Sequence, residues 1–201
     1  VLLKGLTAWA LLFEVRPLQA GETILVWAPV GGVGSLLVPW AASLGARVIA
    51  VTSTEAKAEK AKALGASDVI IGYEGVADRV KELTGGRGVD FVFVTVGAKP
   101  AIDGASQYIT KNGAIVIVGM PPSGVMGEYD PGLLAGWSQR IYGSKMGSAQ
   151  VSRDIPYLVT LYQEGRLKLD ELVTGRFPLD RINEAIASTK RGEALRNVVV
   201  F

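Results

Sequence analysis

The sequence predicts an α/β fold built on a doubly wound parallel sheet. Short, continuous runs of Val, Ile and Leu recur along the chain without polar alternation, as in strands covered by helices on both faces. Segments with helical apolar spacing separate those runs. The first run ends at a glycine-rich turn, Gly31-Gly32-Val33-Gly34, that opens a helix. Strand–helix alternation of this kind predicts right-handed crossovers in one sheet.

Taken in order, Leu2–Phe13 has helical spacing, and Arg16–Glu22 reads as the turn that follows it. Thr23–Ala28 is the first strand, and Ser35–Leu44 its helix, stopped by Gly45. Pro39 inside that helix predicts a bend, because its missing N–H and ring clash cost about 3 kcal/mol in a helix interior. Arg47–Val51 is the second strand, followed by a helix over Thr54–Leu64. Asp68–Ile71 and the helix Gly75–Leu83 form the third unit, and Val89–Val96 the fourth strand. Pro100–Ile109 is expected to be helical and Ala114–Val118 to be the fifth strand.

The Gly- and Pro-rich stretch Pro121–Gly136 reads as loop, and Arg140–Lys145 as a sixth, edge strand. Ser152 is placed to cap a helix to Tyr162, with Pro156 near its first turn. Beyond Gly165 the pattern changes. Leu172–Phe177 is extended, Asp180 caps a helix to Lys190, and Val198–Phe201 is a last strand, which together predict a separate small sheet.

Composition narrows the function. The 201 residues carry 21 basic and 19 acidic side chains, a net charge of +2 with no basic block, which argues against a nucleic-acid partner. The apolar run Leu6–Phe13 is far too short to cross a bilayer, so no membrane partner is expected and the protein is expected to be soluble and cytoplasmic. Cysteine and histidine are both absent. The chain by itself therefore offers no thiolate–imidazole zinc site, no Ser–His or Cys nucleophile and no imidazole acid–base. No residue is assigned a catalytic or metal-binding role.

What remains is the glycine turn. A helix that starts there aims its first N–H groups, and the positive end of its dipole, at the space above a sheet edge, which suits a pyrophosphate. Glycine lets the backbone come close to that ligand. A tight turn without a ligand also favours glycine, so the argument rests on the turn's place in the first strand–helix unit.

Several linked motifs carry a family resemblance. Ala28-Pro29-Val30-Gly31-Gly32-Val33-Gly34, Ser53-Thr54-Glu55-Ala56-Lys57 and Leu64-Gly65-Ala66-Ser67-Asp68-Val69-Ile70 resemble the medium-chain dehydrogenase/reductase superfamily. Up to Tyr73 the chain is most similar to its zinc-free quinone oxidoreductases. From Asp90 on it resembles the zinc alcohol dehydrogenase branch, through Val118-Gly119-Met120-Pro121-Pro122, Gly143–Ser148, Leu179–Ala185 and Arg191-Gly192-Glu193. The mixture of branches, and a start at Val1 inside a helical pattern, suggest a natural fragment or an engineered composite.

The resemblance implies a Rossmann dinucleotide-binding domain over residues 1–165. It also implies that residues 166–201 return to a chaperonin-10-like catalytic domain, which supplies most substrate contacts and any catalytic zinc. Leu3 stands where zinc members carry a cysteine ligand. The implied cofactor contacts are Gly31, Gly32, Val33 and Gly34 at the pyrophosphate, Gly97 and Gly119 beneath the nicotinamide, and Thr7 near it.

For the choice of dinucleotide, the second strand ends Val51-Thr52 without the carboxylate that would bind both ribose hydroxyls of NAD and repel a 2′-phosphate. The resemblance places Ser53, Lys57 and Tyr73 around that phosphate, so NADP(H) is the expected cofactor. Blander roles exist for each. Thr52-Ser53-Thr54-Glu55 also fits a capping box, Lys57 is one of several lysines on its helix, Tyr73 suits a surface helix start, and Gly97 and Gly119 suit simple strand-end turns.

Two functions follow: the NADP(H)-binding domain of a quinone reductase or alcohol dehydrogenase type oxidoreductase, or a non-catalytic Rossmann module with weak or no nucleotide binding. Turnover of quinones, enals or alcohols by this chain alone is expected to be negligible, because nothing in it positions a substrate or keeps the nicotinamide dry. The resemblance further implies a homodimer in which the strand Arg140–Lys145 pairs with its copy across a two-fold axis.

Overall fold

A computed structural model describes residues 2–145, 149–191 and 193–201. Val1, which starts the chain, and Met146, Gly147, Ser148 and Gly192, all four in motifs that carry the resemblance, lie outside the described residues.

The main sheet has six parallel strands: β1 (Thr23–Trp27), β2 (Arg47–Thr52), β3 (Asp68–Ile71), β4 (Val89–Val94), β5 (Ile109–Ile117) and β6 (Arg140–Gly143). Their order is β3-β2-β1-β4-β5-β6, so the winding reverses between β1 and β4. Every residue of β1 and of β4 is buried. Alternation sends Ile24, Val26, Phe91 and Phe93 into one core with the helices α1 (Leu2–Ala10), α2 (Gly34–Ser43) and α7 (Val151–Gln163). It sends Leu25, Trp27, Val92 and Val94 into a second core on the opposite face. There they meet Val76 and Val80 of α4 (Val76–Leu83) and Ala101 of α5 (Lys99–Ile102). Continuous apolar runs are thus the expected signature of a sheet buried on both sides.

Polar groups tie the strand ends. Asp90, at the start of β4, accepts the Thr23 backbone N–H at 2.8 Å and both guanidinium nitrogens of Arg87, joining β1 to β4. At the other end the Thr95 hydroxyl donates to the Trp27 carbonyl at 2.6 Å, which ends β4 at Val94 rather than Val96. The helix α2 runs through Pro39, which sits on an open groove beside Trp40, Leu167 and Leu172, so its ring meets surface and not core.

Several boundaries differ from the sequence expectation, each for a local reason. The first helix ends at Ala10 and widens into a π-type turn over Leu11–Val15. Pro100–Ile109 is not one helix: α5 stops at Ile102, Gly104 adopts φ +68°, and only a 3-10 turn, Ala105–Gln107, follows. The strand β5 then begins at Ile109, five residues early, because Asn112 takes a left-handed φ of +61° and donates its N–H to the Trp137 carbonyl, so the Asn-Gly pair bends the strand without ending it. The stretch expected as loop contains α6 (Pro131–Gly136), whose Asp130 cap accepts the N–H groups of Gly132 and Leu133.

The helix after β2, α3 (Glu55–Ala63), is capped by Thr54, so the box expected over Thr52–Glu55 does not form. Gln150, not Ser152, stands at the N-cap position of α7, without a side-chain cap; its N–H is held by the Asp154 carboxylate at 2.6 Å. The sixth strand ends at Gly143, two residues short of Lys145.

The final segment forms its own two-stranded parallel sheet from β7 (Val173–Pro178) and β8 (Arg196–Val200). Between them lies α8 (Ile182–Lys190), which starts after a 3-10 turn and not at an Asp180 cap.

Two buried polar groups predict opposite stability changes. Asp90→Ala strands the Thr23 N–H and is expected to cost about 1–3 kcal/mol, lowering the urea midpoint. The Tyr108 hydroxyl is buried without a partner, and burial pushes its pKa up to about 12; the neighbouring Trp27 indole N–H opposes that shift but completes no hydrogen bond. Tyr108→Phe removes an unsatisfied group and is expected to leave the midpoint unchanged or raise it.

Candidate functional site

Because all six strands are parallel, the residues that follow each strand gather at one edge of the sheet. Gly31–Gly34 follow β1, Ser53 and Lys57 follow β2, Tyr73 follows β3, Gly97 follows β4 and Gly119 follows β5. In open α/β sheets the ligand crevice lies at this edge, where the winding reverses, here between β1 and β4.

The glycine turn is held tightly. The Gly31 N–H donates to the Ala28 carbonyl at 3.0 Å, and Val33 stands at the N-cap position of α2. A Cβ on Gly34 would fall 2.3 Å from the Ala28 carbonyl oxygen and 2.6 Å from that of Pro29, so the helix can start this close to β1 only with glycine there. The first intrahelical donor is Ser35, to the Gly31 carbonyl. Among the described residues the N–H groups of Gly32, Val33 and Gly34 meet no backbone acceptor. Orphan donors at a helix start make an anion site.

Ser53 and Lys57 are brought together: the Lys57 ammonium donates to the Ser53 hydroxyl at 3.3 Å on the surface after β2. Thr52 is buried, which leaves Ser53 as the first accessible hydroxyl beyond the strand. Tyr73 is half exposed, and its ring lies 5.7 Å from the buried Trp27 ring. No carboxylate occupies the end of β2.

Gly97 and Gly119 are brought together too. A Cβ on Gly97 would fall 2.4 Å from the Met120 carbonyl oxygen, and one on Gly119 2.2 Å from the Val96 carbonyl carbon. The loops after β4 and β5 press on each other, a packing demand that holds with or without a nicotinamide above them. Thr7 is buried in α1, and its hydroxyl donates to the Leu3 carbonyl at 2.7 Å.

Sequence reasoning missed Lys4. Its side chain lies over the glycine turn, with Nζ 2.9 Å from where a Cβ on Gly32 would start, and it donates to the Leu195 carbonyl at 3.3 Å. Partial burial and the nearby Arg196 guanidinium hold its pKa below the ordinary lysine value. No sequence signal could place it, since 191 positions separate Lys4 from Leu195.

The match to known proteins agrees with this geometry. Residues 32–164 match the zinc-binding dehydrogenase family, and the chain belongs to it. Over 198 residues it is 35% identical to the NDMA-dependent alcohol dehydrogenase of Amycolatopsis methanolica, covering 96% of this chain and 53% of that protein. A solved alcohol dehydrogenase zinc-binding domain protein from Burkholderia ambifaria aligns with a TM-score of 0.89 at 29% identity, over 98% of this chain and 53% of the other. A mycobacterial structure solved with NADPH aligns at 0.79 and 33% identity, over 96% and 60%. The chain spans about half the length of the curated relatives it matches. It corresponds to the nucleotide-binding half of the superfamily, whose relatives include alcohol dehydrogenases and quinone oxidoreductases.

The family name implies zinc, but the residues of this chain do not fit that ion. It has no cysteine or histidine, and among the described residues no three Asp or Glu side chains cluster to hold a metal. Among them, too, no helix is long and apolar enough to cross a membrane.

The two glycines of the turn predict different outcomes. Gly34→Ala drives a methyl into two backbone carbonyls and is expected to destabilise the protein by about 1–3 kcal/mol in thermal melts. Gly32→Ala meets only the flexible end of Lys4, and its melting temperature is expected to stay close to that of the parent.

Proposed function

We propose that this chain is the NADP(H)-binding part of an oxidoreductase of the quinone reductase or alcohol dehydrogenase type. The observation that carries the reading is the glycine turn with its orphan N–H groups at the switch point, next to an accessible Ser53–Lys57 pair and no carboxylate. When bound, the dinucleotide supplies hydride transfer; the protein supplies position and electrostatics. The N–H groups of Gly32, Val33 and Gly34 receive the pyrophosphate. Ser53 and Lys57 receive the 2′-phosphate, with Tyr73 at its rim. Gly97 and Gly119 keep the backbone low beneath the nicotinamide, and Thr7, its hydroxyl already engaged, contributes only wall. Residues 1–165 form this cofactor part, and 166–201 pack with the catalytic domain of the whole protein.

Calorimetry with NADPH and NADH tests the reading. NADPH is expected to bind more tightly, and Lys57→Ala to weaken NADPH about tenfold or more while leaving NADH nearly unchanged. Equal losses for both cofactors would remove the phosphate role from Lys57; no binding of either would favour a non-catalytic module.

The same reading includes a homodimer through the outer edge of β6, where Ile141 is exposed and pairs with Ile115 of β5 on its inner side. An open strand edge invites pairing, and an isologous dimer closes it twice. Sedimentation is expected to show a dimer for the parent and the 21.2 kDa monomer for Ile141→Lys. A parent that sediments as the monomer would refute this seam.

A further inference from the structure

We infer that Lys4 is the side-chain cation of the pyrophosphate subsite: when a dinucleotide enters, its ammonium leaves the Leu195 carbonyl and pairs with a pyrophosphate oxygen above the glycine turn. This rests on the reading of the turn as a dinucleotide site and adds to it a residue outside every sequence motif.

Four observations support it. The Lys4 stem and ammonium lie over Gly32, the residue after the fingerprint's second glycine, 2.6 Å (Cε) and 2.9 Å (Nζ) from a Cβ placed there. The ammonium is therefore at the turn before any ligand arrives. Its present partner is a single backbone carbonyl at 3.3 Å, long for an N–H···O bond and readily exchanged for a charged oxygen. No carboxylate pairs with Lys4 or with its neighbour Arg196 among the described residues, and burial, with repulsion from Arg196 second, lowers the lysine's pKa. Finally, Gly32, Val33 and Gly34 offer their orphan N–H groups at the same turn. Positive charge beside unpaired donors favours an anion.

The step is an exchange of hydrogen-bond acceptors at Nζ. It moves no proton, because the ammonium is charged in both states, and it frees the Leu195 carbonyl at the entrance to β8.

The test compares the parent chain with Lys4→Met, which keeps the apolar stem over Gly32, and Lys4→Arg, which keeps the charge. Each is titrated with ADP, which carries a pyrophosphate, and with adenosine 2′-monophosphate, which does not. ADP affinity is expected to fall about tenfold in Lys4→Met and to recover to within about threefold in Lys4→Arg. Adenosine 2′-monophosphate is expected to bind both variants as it binds the parent. The slope of log affinity against log salt for ADP should also become shallower in Lys4→Met, a change that a merely structural lysine would not produce. Unchanged ADP affinity in Lys4→Met, in a parent that does bind ADP, overturns the role of Lys4 and leaves the dinucleotide site standing. Equal losses for both ligands would mark Lys4 as a packing residue and overturn the role as well. If the parent binds neither ADP nor NADPH, the site itself fails and Lys4 with it.

Discussion

The approach of α2 to β1 is the contact on which the site depends. Gly34 brings the helix start within 2.3–2.6 Å (Cβ-equivalent) of the Ala28 and Pro29 carbonyls, a distance no side chain survives. With the helix that close, its orphan N–H groups emerge directly above the end of β1 and not at some remove from the sheet. The parallel direction of the six strands does the rest, because it delivers the residues after β2, β3, β4 and β5 to the same edge. A glycine loop on an antiparallel hairpin would have had no such company.

The two edges of the sheet use charge differently. The carboxylates that tie the strand ends lie at the opposite edge, where Asp90 clamps Thr23 and Arg87 and where Asp68 pairs with Arg47. The edge that carries the turn has Lys4, Lys57 and the helix N-terminus, while the strand β2 finishes in a buried threonine. The carboxylates at this edge, Glu55 at the start of α3 and Glu74 beside Tyr73, are both exposed.

The loops after β4 and β5 show how one residue can answer two demands. Gly97 and Gly119 are required by the backbone of the facing loop, so their identity alone says little about what lies above them. Thr7 shows the converse: a residue at the right place by resemblance spends its hydroxyl inside its own helix. The N–H groups of the turn meet no backbone acceptor, while the Ser53–Lys57 pair and the Lys4 ammonium are each held by one long hydrogen bond of 3.3 Å.

The amino-acid sequence by itself determined the sheet, the strand–helix alternation, the turn at Gly31–Gly34, the absence of an acid after β2 and the separate character of the last segment. Each is written in local patterns: apolar runs, glycine punctuation and residue type at a strand end. The boundaries that went astray lie where a neighbour in space overrides the local signal. The sequence pattern starts the fifth strand at Ala114, but Asn112-Gly113 serves as a bend inside β5 because the Trp137 carbonyl takes the Asn112 N–H. Asp130 starts a helix in a stretch whose Gly and Pro content reads as loop. Lys4 belongs to this second kind entirely. Nothing near it in the sequence links it to Gly32 or Leu195; only the packing of α1 against the turn and the return of the chain before β8 bring an ammonium there, because proximity in a fold is set by which faces are buried together and not by separation along the chain.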